Sequence, residues 1–358
     1  HVRSRRQRQM CIRDRLDVVT WTLDPILLEW GGLRVGWYSI LFAFGLIVFG
    51  YAIVSKMWQR EKLPEDWLTA LFYYVVIGTI VGARLGHCLF YQPEYYLANP
   101  SEILKVWHGG LASHGGVLGI MIAIYIYSRH VTHRSMLWTF DRLCVPVGLV
   151  AGMIRLGNLC NHEIYGHATD VPWAFRFITN IGEWRAGAEP IFSAPSHPTQ
   201  IYEAAFYFLV FGLMLWLYWR RDAQKHVGLM FGITMVLIFT FRFFIEYLKN
   251  DQVPNEAMTG LGIAKWLVIP SVLISIGFIV ALLLKGKKYR TPVLWVVGVS
   301  LHLIFFGILY LLHRPETETA VSQALNIGQW LSIPIVLLGL WSIWYSLTCK
   351  RPADGRIV

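Results

Sequence analysis

From Asp17 onward the chain alternates between long apolar runs and short polar connections. Nine runs stand out, at roughly 35–55, 68–91, 112–128, 138–160, 200–219, 228–248, 263–284, 292–312 and 328–348. Each is near the roughly 20 residues that a helix needs to cross a hydrocarbon core. The connections after the first, third, fifth, seventh and ninth runs hold fifteen Lys and Arg, against six on the other side. By the positive-inside rule the richer side is cytoplasmic. The N-terminus and the long connection 161–198 are then outward and the C-terminus cytoplasmic. That connection is rich in Trp, Gly and Pro and contains a strand-like stretch, Trp173 to Ile178, which favours an ordered extracytoplasmic cap. The expected fold is an all-α polytopic membrane protein of about nine transmembrane helices, one transmembrane domain over 17–358 with a small cap.

Two segments qualify this picture. Residues 1–16 carry six arginines without an apolar h-region, so they are read as a non-native or disordered basic leader and not as a signal peptide. Near the other end, Ile263 to Leu273 and Ile327 to Leu337 share Trp, Leu, Ile and Pro at an offset of 64, the mark of a local duplication.

Composition agrees with membrane. Hydrophobic residues make up 55% of the 358 and charged residues 15%, where a soluble protein carries nearer a quarter. The net charge of +10 does not point to nucleic acid, because the basic residues fall in short clusters between apolar runs. Five cysteines with no CxxC and no metal-ligand spacing predict neither disulfide nor metal, and no cofactor is expected.

Chemistry gathers at the outward ends of the runs. In Gly152 to Gly166, Arg155, Asn158 and Asn161 fall at i, i+3 and i+6, on roughly one helix face, with Glu163 just beyond. Tyr38 follows Gly36-Trp37, Arg84 lies between Gly82 and Gly86, and His114 stands before Gly115-Gly116. His197-Pro198-Thr199-Gln200 opens the fifth run, and Arg242 and Glu246 are spaced i, i+4. Arg84, Arg155 and Arg242 converge on the outer half, against the charge rule, which suggests an anionic ligand such as phosphate. Arg142, beside Asp141 at the cytoplasmic end, is read as an interfacial residue whose head reaches the surface. For the glycines around His114, helix packing is the reading set against a ligand role.

The combination Arg155-Leu156-Gly157-Asn158, Asn161-His162-Glu163 and Gly166 resembles the signature of the prolipoprotein diacylglyceryl transferases. The Gly-Gly stretches around His114, His197-Pro198-Thr199-Gln200 with Tyr202-Glu203, and Arg242 with Glu246 also match. The likeness runs from about Asp24 to Asn250 and resumes at Ile327 to Leu340. It implies a multi-pass enzyme of the bacterial inner (cytoplasmic) membrane that moves the diacylglyceryl group of phosphatidylglycerol to the lipobox cysteine of a preprolipoprotein signal peptide. A thioether forms and glycerol phosphate leaves.

On that resemblance His114, Arg155 and Arg242 are the catalytic candidates. Tyr38, Arg84, Asn158, Asn161, Glu163, Gly166 and Glu246 are expected to bind substrate. The runs about 263–312 are then an inserted pair added to the family's usual seven helices. Ile238 stands where many members carry Tyr, so a hydroxyl there is lost or supplied elsewhere. The rival reading is a membrane lipid- or anion-binding or transport protein without transferase activity. Transporters favour paired repeats in two halves, whereas the repeat here is local and C-terminal.

Overall fold

The computed structural model describes residues 18–31, 33–105, 110, 112–250, 327–348 and 355. The expected leader and the expected runs at 263–284 and 292–312 lie outside the described residues. Among the described residues there are seven longer helices: α1 (Trp37–Glu61), α2 (Glu65–Phe90), α3 (Ser113–Tyr127), α4 (Met136–Cys160), α5 (Thr199–Arg221), α6 (Leu229–Ile245) and α7 (Ile327–Thr348). Each answers one of the remaining apolar runs to within a few residues. Among the described residues, six helices are long and apolar enough to cross a membrane; α3, at 15 residues, continues through a π-helical turn at Ser128–Thr132. The chain is a mostly helical, multi-pass membrane protein.

It is not wholly helical. A parallel pair joins Val19–Thr20 (β1) to Phe175–Arg176 (β4), and a hairpin joins Ile26–Trp30 (β2) to Leu33–Gly36 (β3). β4 falls within the strand-like stretch Trp173 to Ile178; the other three strands gave no sign in the apolar runs, because each is short and its register is set by partners distant in the chain or by a turn.

Helix α4 is central, packed against α1, α5 and α6. Glycines decide how closely it is approached. A Cβ on Gly148 would come within 2.6 Å of the Tyr207 carbonyl on α5, and one on Gly157 within 2.8 Å of the Tyr38 ring on α1. The α2–α3 pair is the extreme case. Gly78, Gly82 and Gly86 face Gly115 and Gly119, and a Cβ on Gly115 would lie 2.3 Å from the Gly82 carbonyl. Small residues spaced by four let two helix backbones touch, and in lipid this packing supplies much of the association energy. The glycines beside His114 therefore serve the helix seam.

Two apolar clusters fill the bundle. Met57, Val145, Tyr207, Met214, Tyr218 and Met230 join α1, α4, α5 and α6. Val54, Trp58, Leu68, Tyr127 and Trp138 join α1, α2 and the end of α3 to the start of α4. Between these helices and the 161–198 segment lies a set of polar contacts that apolar packing cannot supply.

Candidate functional site at the loop end of the bundle

The last two turns of α4 carry Arg155 and Asn158, and Asn161 caps the helix with φ −81° and ψ 0°. Beyond it the chain turns sharply. His162 and Ile164 both hold positive φ, at 56° and 62°, which is strained for non-glycine residues and severe for a β-branched one. The turn is held at several points. His162 Nδ1 accepts from the Ile178 amide at 3.1 Å, so Nε2 carries the proton that it donates to the Leu23 carbonyl at 2.8 Å. Thr199 Oγ1 donates to the Ile164 carbonyl at 2.9 Å, and Gln200 Nε2 to the Glu163 carbonyl at 2.7 Å. Burial lowers the His162 pKa below the usual imidazole value, consistent with a neutral ring used as both donor and acceptor.

This turn brings the motif residues together. Asn158 Nδ2 and Asn161 Nδ2 both donate to Glu163 Oε1, at 2.8 and 3.1 Å, and Arg155 Nη1 donates to Asn158 Oδ1 at 3.1 Å. Tyr38 packs on Gly157, close enough that the charges of Glu163 and Arg155 both act on its hydroxyl. The helical spacing thus does put the arginine and the amides on one side, and Glu163 is the acceptor that links them. Gly166 is explained by crowding. A Cβ there would meet the Leu248 carbonyl at 2.2 Å, where the loop crosses the end of α6.

Arg155 continues inward. Its Nε lies 3.0 Å from Glu203 Oε2, on α5. Glu203 Oε1 receives Lys249 Nζ at 3.0 Å and the Tyr207 hydroxyl at 3.3 Å. Lys249 Nζ also lies 3.4 Å from Glu246 Oε1, which in turn is 3.7 Å from Arg242 Nε. Glu203 and Lys249 are almost fully buried, at 0 and 2% side-chain exposure, whereas Arg155 is 15% and Arg242 39% exposed. Charges inside a membrane protein persist only with partners or with a task. Here the most exposed cation of the series has only a long contact to its carboxylate. Ile238 is buried, and the hydroxyl of this cluster comes from Tyr207, whose oxygen feels both arginines.

Arg84 is placed differently. It is 3% exposed, and its guanidinium donates to the carbonyls of Glu102, Ile103 and Gly110 at 2.6, 2.9 and 3.2 Å, with the Tyr96 ring 5.1 Å away. It fastens the connection that leads into α3. His114 lies in the first turn of α3, directly before the Gly115 contact with α2.

Two members of the cluster escape the sequence reading. Lys249 counts there as an ordinary loop charge, and Glu203 enters only as part of a matched stretch. The available signal was spacing: Gln200, Glu203 and Tyr207 share one face of α5 at i, i+3 and i+7. Nothing in the sequence showed that Lys249 turns back into the bundle. Arg142, expected at the surface, is 2% exposed and paired with Glu61. A neighbouring helix brings that carboxylate to it, so its head need not reach water.

A family model described as prolipoprotein diacylglyceryl transferase matches residues 25–281. A phosphatidylglycerol–prolipoprotein diacylglyceryl transferase from Porphyromonas gingivalis is 52% identical over 267 residues, covering 73% of this chain and 94% of that protein. Proteins of the same name from Chloroherpeton thalassium and Tolumonas auensis are 44% and 43% identical, covering 74% and 75% of this chain and 94% and 98% of their own lengths.

Proposed function

This chain belongs to the prolipoprotein diacylglyceryl transferase family, and from that premise we infer that it transfers the diacylglyceryl group of phosphatidylglycerol to a prolipoprotein. The observation that carries the site is the pair Arg155 and Arg242 at the loop end, both bound into one ionic cluster and both partly open. The acceptor is the lipobox cysteine of the signal peptide. Its sulfur forms a C–S bond to the glyceryl carbon as the C–O bond to phosphate breaks, and glycerol phosphate leaves.

Two demands follow. A thiol of ordinary pKa about 8.5 must lose its proton, and the phosphate must be stabilised as its charge grows. Arg155 and Arg242 meet the second, since a guanidinium presents paired donors to phosphate oxygens. His114 is the proposed base for the first. Asn158, Asn161 and Glu163 order the headgroup and hold the Arg155 turn; Tyr38 lines the lipid entrance. Glu246 steers Arg242, Gly166 lets the loop lie against α6, and Arg84 positions the segment before His114. The loop end faces outward from the bacterial inner membrane, with 161–198 as its cap, and the C-terminus is cytoplasmic. The apolar runs at 263–284 and 292–312, outside the described residues, bring the proposed helices to nine; the family match reaches into the first of them, at residue 281.

Transfer of label from phosphatidylglycerol labelled in its diacylated glycerol to a lipobox peptide tests this reading, with a Ser-for-Cys peptide as control. Label on the Cys peptide alone is expected. Folded protein in an active lipid environment that labels neither peptide would leave lipid or anion binding as the function.

A further inference from the structure

Five charges at the loop end form one alternating chain: Arg155, Glu203, Lys249, Glu246, Arg242. Successive contacts measure 3.0, 3.0, 3.4 and 3.7 Å. Its two ends are the two partly exposed arginines, and its centre, Lys249, is 2% exposed. We propose that Lys249 is a positioning residue that holds the Glu203 and Glu246 carboxylates so that Arg155 and Arg242 stay available to the lipid phosphate. The proposal rests on the transferase reading above.

A buried carboxylate needs a counter-charge, because leaving it unpaired is severely destabilising. Glu203 is fully buried and Glu246 nearly so, at 12%. Among the described residues, the other cations paired with these two carboxylates are Arg155 and Arg242. Without Lys249 each guanidinium would neutralise its own glutamate, and little of its field would be left for an arriving anion. With Lys249 in place the five groups carry one net positive charge, opposite to the single negative charge of a phosphodiester. Glu163 lies further out, reached through Asn158 and exposed to solvent. There its charge is better screened than that of the buried pair. Backbone contacts fix where Lys249 sits: Gly166 bridges to it, His167 N–H donates to the Leu248 carbonyl at 2.8 Å, and Asn250 Nδ2 donates to the Gly166 carbonyl at 2.9 Å. The loop crossing that excludes a Cβ at Gly166 is therefore also what turns Lys249 inward.

The test uses the full chain with phosphatidylglycerol vesicles and a lipobox peptide, measuring KM for each substrate separately. Lys249→Gln keeps amide donors toward the carboxylates but removes the charge. It should raise KM for phosphatidylglycerol at least about tenfold while KM for the peptide moves less than about twofold. Lys249→Arg should stay within about threefold of the parent on both. Adding Glu203→Gln to Lys249→Gln removes the carboxylate that would capture Arg155, so KM for phosphatidylglycerol should fall back toward the parent.

An unchanged lipid KM in Lys249→Gln overturns the proposal. So does an equal rise for both substrates, which marks a merely structural role, or a double variant no better than Lys249→Gln. If Lys249→Gln does not accumulate folded, Lys249→Arg still decides: retained lipid KM supports the proposal, and a loss above about tenfold overturns it. Failure of the parent protein itself to transfer label would instead refute the transferase reading.

Discussion

Helix α4 carries an arginine near each end, Arg142 and Arg155, roughly 20 Å apart along the axis at the usual helical rise. Their settings look alike at first. Arg142 meets Glu61 of α1, whose other oxygen accepts from the Tyr218 hydroxyl at 2.6 Å. Arg155 meets Glu203, which accepts from the Tyr207 hydroxyl. The difference lies in closure. Arg142 is sealed, with Glu61, the Trp138 carbonyl at 2.7 Å and the Trp138 ring 3.7 Å away. Beside it Asp141 accepts the amides of Gly228 and Phe231 and so caps the start of α6. At the other end the chain of charges runs on until it opens at Arg242. An intramembrane arginine marks a site only when its network ends at an accessible cation; otherwise it is a fastening.

The contrast makes graded demands. Arg142→Met leaves Glu61 without its buried partner and should cost about 3–5 kcal/mol, read as a large fall in unfolding temperature in detergent. Arg155→Met should destabilise much less, because Glu203 keeps Lys249. Comparable losses in the two would break the contrast. Next comes the uncharged seam. Gly119→Val places a Cβ about where the Gly78 carbonyl stands, a 2.0 Å approach. A cost of about 1–3 kcal/mol in unfolding is expected from overpacking. Smaller still, Tyr218→Phe removes one hydrogen bond from the sealed end, about 1 kcal/mol, with transfer activity preserved.

The smallest effect concerns pH. His162 must be neutral to accept from Ile178, and burial lowers its pKa, so the unfolded chain binds this proton more readily. Its contribution is complete above the ordinary imidazole value of about 6.5 and is lost as pH falls through the depressed folded value. Unfolding temperature should therefore drop on acidification, and His162→Gln should flatten that dependence.

Much of this was legible from sequence because lipid imposes simple rules. The seven described helices match apolar runs, and Arg155, Asn158, Asn161 and Glu163 meet as their spacing and order suggest. What stayed hidden depends on partners from other segments. Arg142 looked interfacial until Glu61 was seen beside it. The carbonyls that Arg84 meets lie some 20 residues onward, where no spacing in the sequence points to them. Lys249 looked like a loop charge because its burial is fixed by Gly166, more than 80 residues earlier. Local pattern specifies elements; charge pairing between elements does not leave a period in the sequence.

A phosphate handled at the open end of this charged network makes the rate of diacylglyceryl transfer depend on both arginines, and Arg155→Gln and Arg242→Gln, measured beside their unfolding temperatures, read that dependence. A loss of about 10²–10³ in kcat is expected for each, as for removal of a donor that stabilises developing charge, with both variants still folded. A folded Arg155→Gln or Arg242→Gln protein that transfers at the parent rate would contradict it.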